Sequence, residues 1–316
     1  MIKWHKEEVI NITTLADLYN KASNSPRETV CVACADDANV LEAVASAKDF
    51  ASFILVGDAK KINKAAENAK LDISGCVIID EPETEIACKL SVQLVATGKA
   101  KALMKGQVET STIMKAVLDK KTGMQTGMQA GMRTSSKLSH LAVFELPTYH
   151  KLLFVTDAAI NIAPDITTKK EIIHNAVEAT LALGIQNPKV ALLAAKEKAD
   201  PKMPITTEIV ELVANHRAQK TQLDRKFTMA GPLALDNAVC PESVKIKKIE
   251  TPVGGDADIL VCPDIEAGNI LYKSLAFLAA AKVGGVVLGA KRPVILTSRA
   301  DSAESKLISI ALGILS

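Results

Sequence analysis

The chain reads as an α/β protein with a mainly parallel sheet covered on both faces, and three observations lead there. Apolar, β-branched runs alternate with helical patterns along the whole sequence. The runs are near-continuous in apolar residues, as strands buried on both faces are, rather than alternating with polar ones. Of 316 residues 48% are apolar, yet only six Phe, three Tyr and one Trp are present. The core is therefore built from Ala, Val, Ile and Leu, and it is large enough to exclude wholesale disorder.

Taken in order, Glu28 to Cys34 reads as a strand and Ala38 to Phe50 as a helix opened by an Asp36/Asp37 cap. Phe53 to Val56 is a strand, and Asp58 caps a helix to about Ala69. Cys76 to Ile79 is a strand, Glu83 to Ala96 a helix, Ala102 to Lys105 a strand and Thr110 to Asp119 a helix. Further strands are expected near Leu141–Phe144, Leu152–Val155, Lys189–Leu193, Phe227–Met229, Ile259–Val261, Val283–Leu288 and Val294–Thr297. Helices fall between them, notably Lys169 to Leu183 and Ala267 to Ala281, and a final one runs from about Asp301 to Ile314. From Thr122 to Ser136 a Gly-Met pair recurs every four residues, which reads as a flexible connector or as a mobile loop near a site.

Charge narrows the function. A formal net charge of +2, from 38 basic and 36 acidic side chains, lacks the basic excess of a phosphate-backbone binder. The scarcity of rings removes the stacking platforms of a single-strand binder. No nucleic-acid partner is expected. The most hydrophobic stretch, after Lys273, is interrupted by Lys282, Gly284 and Gly285, so no membrane span is expected either. Six scattered cysteines without a secretory signal fit free thiols in the cytoplasm.

Several signatures are missing. There is no G-x-x-x-x-G-K-[ST] loop, no G-x-G-x-x-G after a strand, no H-E-x-x-H and no G-x-S-x-G elbow. Cys31-Val32-Ala33-Cys34 has no second pair to complete a zinc site, and positions three apart on a strand face opposite ways. No metal site is expected, and covalent catalysis has no visible nucleophile with a base. Cys262 is the best remaining thiol, with buried filler as its simpler reading.

Three segments carry more. In Cys262-Pro263-Asp264-Ile265-Glu266-Ala267-Gly268-Asn269, Asp264 stands ready to cap a helix whose first turn holds Gly268 and Asn269. Such a strand end is where ligands sit in open α/β sheets, although a plain cap with a close-packing glycine reads equally well. In Leu296-Thr297-Ser298-Arg299-Ala300-Asp301-Ser302, a guanidinium beside hydroxyls and helix amides suits a phosphate oxyanion, with Asp301 or Ser302 as the cap. Lys105-Gly106 followed by Thr110 and Ser111 again places a cation, a glycine and hydroxyls at a strand-to-helix turn.

Together these segments resemble the phosphate acetyltransferase/phosphate butyryltransferase family, and most closely its butyryltransferase branch. The matching stretches include MKGQVETSTIMKAVLD, SHLAVFELP, LLFVTDAAINIAP, GPLALDNAV, CPDIEAGNILYKSL and GAKRPVILTSRADSAESKLISIAL. The resemblance implies reversible transfer of a short-chain acyl group, butyryl or acetyl, between CoA and inorganic phosphate. CoA is then a substrate, no cofactor is tightly bound, and the partners are acyl-CoA, CoA, phosphate and acyl phosphate in a homo-oligomer. It also implies two three-layer α/β/α domains with an interdomain cleft, as in isocitrate and isopropylmalate dehydrogenases. The expected division is 1–140 plus 290–316 for the first domain and 141–289 for the second. Ser298 and Arg299 match the serine and arginine that bind acyl phosphate in acetyltransferase relatives. Where those relatives carry an aspartate proposed to deprotonate the CoA thiol, this chain has Ser305, so Glu304, Asp301 and Asp264 are the candidate bases. Lys105, Gly106, Thr110, Ser111, Asp264, Gly268, Asn269 and Ser302 complete the expected site.

Ser305, together with Ala230 at a position where relatives commonly carry an acid, also motivates a second reading. This is a non-catalytic CoA- or acyl-phosphate-binding protein of the same fold. A decarboxylating dehydrogenase is disfavoured because no aspartate cluster for a divalent metal is visible. With so few rings, the CoA adenine is expected against aliphatic side chains rather than in an aromatic stack.

Overall fold

The computed structural model describes residues 12–119, 137–218, 221–297 and 301–316. The whole of the Gly-Met stretch, and Ser298 and Arg299, lie outside them. The first half runs α1 (Leu15–Asn24), β1 (Glu28–Ala33), α2 (Ala38–Ser46), β2 (Ala51–Gly57), α3 (Ala59–Ala69), β3 (Val77–Asp80), α4 (Thr84–Ala96), β4 (Ala102–Lys105) and α5 (Thr110–Leu118). There follow β5 (Ser139–Glu145), β6 (Leu153–Thr156), α6 (Ile166–Ala182), β7 (Lys189–Leu193), α7 (Pro204–Ala218) and β8 (Thr228–Leu233). The chain ends with α8 (Leu235–Val239), α9 (Pro241–Lys247), β9 (Ile259–Val261), α10 (Ile265–Phe277), β10 (Lys282–Leu288), β11 (Val294–Ile295) and α11 (Ala303–Leu315).

Helix starts follow the polar residues that cap them. Asp37 accepts from the Val40 amide at 2.9 Å, and Asp58 accepts from the Lys60 and Lys61 amides at 3.0 and 3.1 Å. Helix α1, absent from the expected elements, opens on a reciprocal box in which Thr14 and Asp17 each accept from the other's amide.

The eleven strands form one sheet in the order β3-β2-β1-β4-β11-β10-β5-β6-β9-β7-β8. Seven pairings are parallel, as expected, but β5–β6, β5–β10 and β10–β11 are antiparallel. For β5–β6 and β10–β11 the cause is connection length. The segments joining β5 to β6 and β10 to β11 are too short for a helical crossover, so the chain must turn back on itself. Strand β11 inserts between β4 and β10, returning the C-terminal segment to the first half of the sheet.

Alternation along each strand splits the core unequally. On one face Val30, Val32, Met104, Leu141, Val143, Val286 and Ile259 belong to one continuous cluster under α1, α2, α6, α7 and α11. On the opposite face the core divides. One cluster holds Cys31, Ala33, Leu103 and Val287 under α4 and α5. The other holds Ala142, Phe144, Val155 and Leu260 beside α8 and α10. The candidate site opens beside the first of these, where Val108, Ile160, Val287 and Leu296 line it.

Candidate active site

The turn from β4 into α5 forms one wall. Lys105, the last residue of β4, is only 5% exposed, and its Nζ donates to the Val108 carbonyl at 3.1 Å. Gly106 lies against the end of β1: its amide donates to the Ala33 carbonyl at 2.8 Å and that of Gln107 to the Cys34 carbonyl at 2.7 Å. A Cβ on Gly106 would stand 2.2 Å from the Cys34 carbonyl oxygen, so only glycine permits this crossing. Thr110 then begins α5, with Glu109 before it making no side-chain cap, so first-turn amides remain for a ligand.

The segment after β11 forms a second wall. Thr297, two residues past β11, is buried immediately before Ser298 and Arg299. Ser302 caps α11, accepting from the Ser305 amide at 3.1 Å and donating to the Ser305 hydroxyl. Lys306, 2% exposed, reaches back to donate to the Asp301 carbonyl and so anchors this turn from inside the core. Glu304 points to the surface, half exposed, in an ion pair with Lys282 at 2.7 Å.

The loop after β6 forms the third wall. The buried Asp157 carboxylate accepts from the amides of Ala159, Ile160 and Asn161 and from Asn161 Nδ2, which folds the loop around it. Helix α10 docks directly on that loop. Gly268 leaves no room for a side chain, since a Cβ would meet the Asp157 carbonyl oxygen at 2.3 Å, and Asn269 Nδ2 donates to the Ala158 carbonyl at 3.3 Å. Asp264 is engaged as the α10 cap, accepting from the Ala267 amide at 2.8 Å. Of the two roles open to this segment, cap and close packing are the ones these contacts serve, and its link to the cleft runs through the loop.

Between the walls lies a cleft of about 450 Å³, lined by Lys105, Thr110, His140, Ile160, Leu296 and Thr297 among others. The structure thus brings together Lys105, Thr110 and the residue preceding Ser298, while Ser111 turns into a separate surface depression with Lys115 and Asp119. His140, near the start of β5, was not among the expected site residues. Its Nδ1 is buried and has no hydrogen-bond partner among the described residues. Burial pushes the imidazole below its ordinary value, against the opposing charges of Asp157 and Asp301. Tyr272 on α10 packs edge-on against this ring at 5.9 Å, and its phenol is pushed up to about 12 by burial and then by Asp301.

Cys262, the best remaining thiol, is the buried filler of its simpler reading. Cys262 is 4% exposed, and burial pushes it up to about 12. Cys34 has a left-handed backbone, at φ 56°, and its thiol donates to the Thr84 carbonyl of α4 at 4.0 Å and lies beside Cys88 rather than pairing with Cys31. Among the described residues no cluster of three or more His, Cys, Asp or Glu side chains is placed to hold a metal. Asp157, Lys306 and His140 were missed by sequence reasoning. A lysine inside the apolar run of the last helix was the one available signal; the other two residues are positioned only by packing between strands.

Sheet, cleft and helix terminus together define an α/β protein whose cleft suits a small anionic ligand. The family model "Phosphate acetyl/butaryl transferase" matches residues 84–314, and the chain belongs to this family. It is 45% identical over 302 residues to the "Probable phosphate butyryltransferase" of Bacillus subtilis (strain 168), covering 95% of this chain and 97% of that one. A branched-chain phosphotransacylase from Enterococcus faecalis V583 has the same fold, with a TM-score of 0.79 and 36% identity over 91% of this chain and 98% of that one. A protein assigned as a 4-hydroxythreonine-4-phosphate dehydrogenase from Salmonella typhimurium, 15% identical with a TM-score of 0.57, covers 92% of this chain and 99% of that one. At that identity it shows the dehydrogenase-like fold alone.

Proposed function

We propose that this cleft is where the chain, a phosphate acyltransferase, moves a butyryl or acetyl group reversibly between CoA and inorganic phosphate. The observation that carries the reading is the convergence of Lys105, the α5 N-terminus at Thr110 and Thr297 just past β11 on one cavity. Phosphate brings up to two negative charges, and a buried ammonium, a hydroxyl and helix amides supply charge-assisted donors for them. Ser298 and Arg299 follow Thr297 directly and take the acyl-phosphate-binding role that the resemblance gives them. A phosphate oxygen attacks the thioester carbon, negative charge grows on the carbonyl oxygen, and the C–S bond breaks to release CoA. Each donor aimed at that oxygen contributes on the order of 3 kcal/mol. The buried, unreactive Cys262 supports direct attack in a ternary complex over a covalent acyl-enzyme. Coenzyme A acts here as a substrate, with no tightly bound cofactor in the scheme.

Among the three carboxylates considered as bases, Asp264 caps α10 and Glu304 pairs with Lys282, whereas the charge of Asp301 reaches His140 and Tyr272. The division of one core face into two clusters, and the pairing of β11 with β4, support the two-domain reading with boundaries near 140 and 290. Purified protein given a series of acyl-CoA esters with phosphate is expected to form acyl phosphate and release CoA, fastest with short chains. Ligand-dependent thermal stabilisation with no turnover on any ester would favour the binding-protein alternative.

We further read the chain as a homo-oligomer. Ile270, Phe277 and Leu278 at and just beyond α10 are 67%, 74% and 85% exposed, and only Gly268 of that helix is buried. Such an apolar face fits a second copy of the chain. The double variant Phe277→Glu, Leu278→Glu is expected to sediment as a monomer; an unchanged sedimentation coefficient would assign assembly to another surface. All six cysteines are free thiols and no helix of the described residues is long and apolar enough to cross a membrane. The thiols favour a cytoplasmic reading.

A further inference from the structure

We infer that His140 is a catalytic residue that takes the proton of the CoA thiol when CoA is acylated, and returns it to the departing thiolate in the opposite direction. The inference rests on the cleft being the acyl-transfer site. A thiol with an ordinary pKa of about 8.5 is mostly protonated at neutral pH, and the thiolate is the nucleophile. The reaction therefore needs an acceptor inside the cleft. Glu304 is outside it and ion-paired, and Asp264 is bound to a helix amide.

His140 meets the requirement by position. It lines the same cavity as Lys105, Thr110 and Thr297. Its ring has no hydrogen bond to the described residues, and Nδ1 is buried without one, an arrangement that a folded interior avoids. The neighbouring strand leaves room for it: a Cβ on Gly285 of β10 would stand 2.7 Å from Nε2. The groups facing it come from every side, with Asp157 from the loop after β6, Asp301 before α11, Tyr272 from α10 and Lys105 across the cleft. The two carboxylates stabilise the imidazolium by their charge once the proton arrives.

Atoms and electrons balance in the acylation of CoA. The S–H bond breaks as an N–H bond forms on the basic ring nitrogen. The thiolate attacks the carbonyl carbon of the acyl phosphate and the C–O bond to phosphate breaks. The departing oxygen keeps the electron pair and takes up the proton held by the imidazolium, so that phosphate leaves as hydrogen phosphate and the neutral ring is restored. In reverse the attacking hydrogen phosphate gives its proton to the ring as its oxygen bonds to the thioester carbon, and the imidazolium so formed protonates the CoA sulfur as the C–S bond opens.

The test uses His140→Gln and His140→Ala in the full-length enzyme, assayed with acyl phosphate and CoA. A kcat loss of about 100-fold is expected, with KM for acyl phosphate changed only a few-fold. Burial holds the parent imidazole below its usual 6.5, so the basic form prevails at neutral pH and the parent rate falls as pH drops below that range. The variants are expected to lose this acidic limb, and added imidazole to restore part of the rate of His140→Ala. Variant rates within two-fold of the parent, or a retained acidic limb, overturn the inference. If the variants fail to fold, a parent rate that does not fall on acidification overturns it. Lys105→Met and Arg299→Ala in parallel separate the two readings: if those also keep full activity, the cleft itself is misplaced, whereas their loss beside an active His140→Gln removes only His140.

Discussion

Arg299→Ala is expected to lower the rate of acyl phosphate formation by at least 10²- to 10³-fold, on the order of 3–4 kcal/mol of transition-state stabilisation. Arg299 itself lies outside the described residues, with Thr297 and Asp301 the described residues on either side. Thr297 is buried at the cleft, and the Asp301 carbonyl is held by the buried Lys306. A guanidinium presents parallel donors to two oxygens of a phosphate, which an ammonium cannot reproduce, so Arg299→Lys is expected to recover only a small part of the rate. Initial rates of CoA release from butyryl-CoA and phosphate, with melting curves to establish folding, measure both. A folded Arg299→Ala protein with unchanged turnover would remove this residue from the site.

Gly106→Ala is expected to destabilise the fold by about 2–4 kcal/mol and to suppress activity at the same time. The new methyl would lie 2.2 Å from the Cys34 carbonyl oxygen and 2.7 Å from that of Ala33, both backbone atoms. Neither can retreat cheaply, because each already accepts a hydrogen bond from the Gly106–Gln107 turn. The strain must therefore open the turn, and Lys105 moves with it. Urea denaturation reads the stability and the acyl transfer assay reads the displacement. A variant with parental midpoint and rate would show that the turn tolerates a side chain.

The local grammar of the chain was legible from residues alone. Helix α3 begins after Asp58 as its carboxylate requires, and β4, β7 and β9 occupy the residues expected of them. Strand directions in the middle of the sheet were not legible, because periodicity reports burial and carries no sign of direction. Only the short segments between β5 and β6 and between β10 and β11 encode the reversal.

The site divides in the same way. Lys105 and Thr110 carry visible signals, because a cation and a hydroxyl at a strand-to-helix turn are local features. Other contributions depend on residues far apart in sequence. Asp157 and Gly268 meet only when α10 docks on the loop after β6. Lys306 matters because α11 carries it through the core to Asp301. His140, one unpaired histidine among five in the sequence, enters the cleft because β10 places a glycine beside its ring. By itself the sequence determined the α/β class, the helix starts and the segments that resemble one family, since each depends on neighbours along the chain. Tertiary structure alone decided which face of the core splits and which buried polar groups line the cleft, since those depend on strand order and on contacts between distant elements.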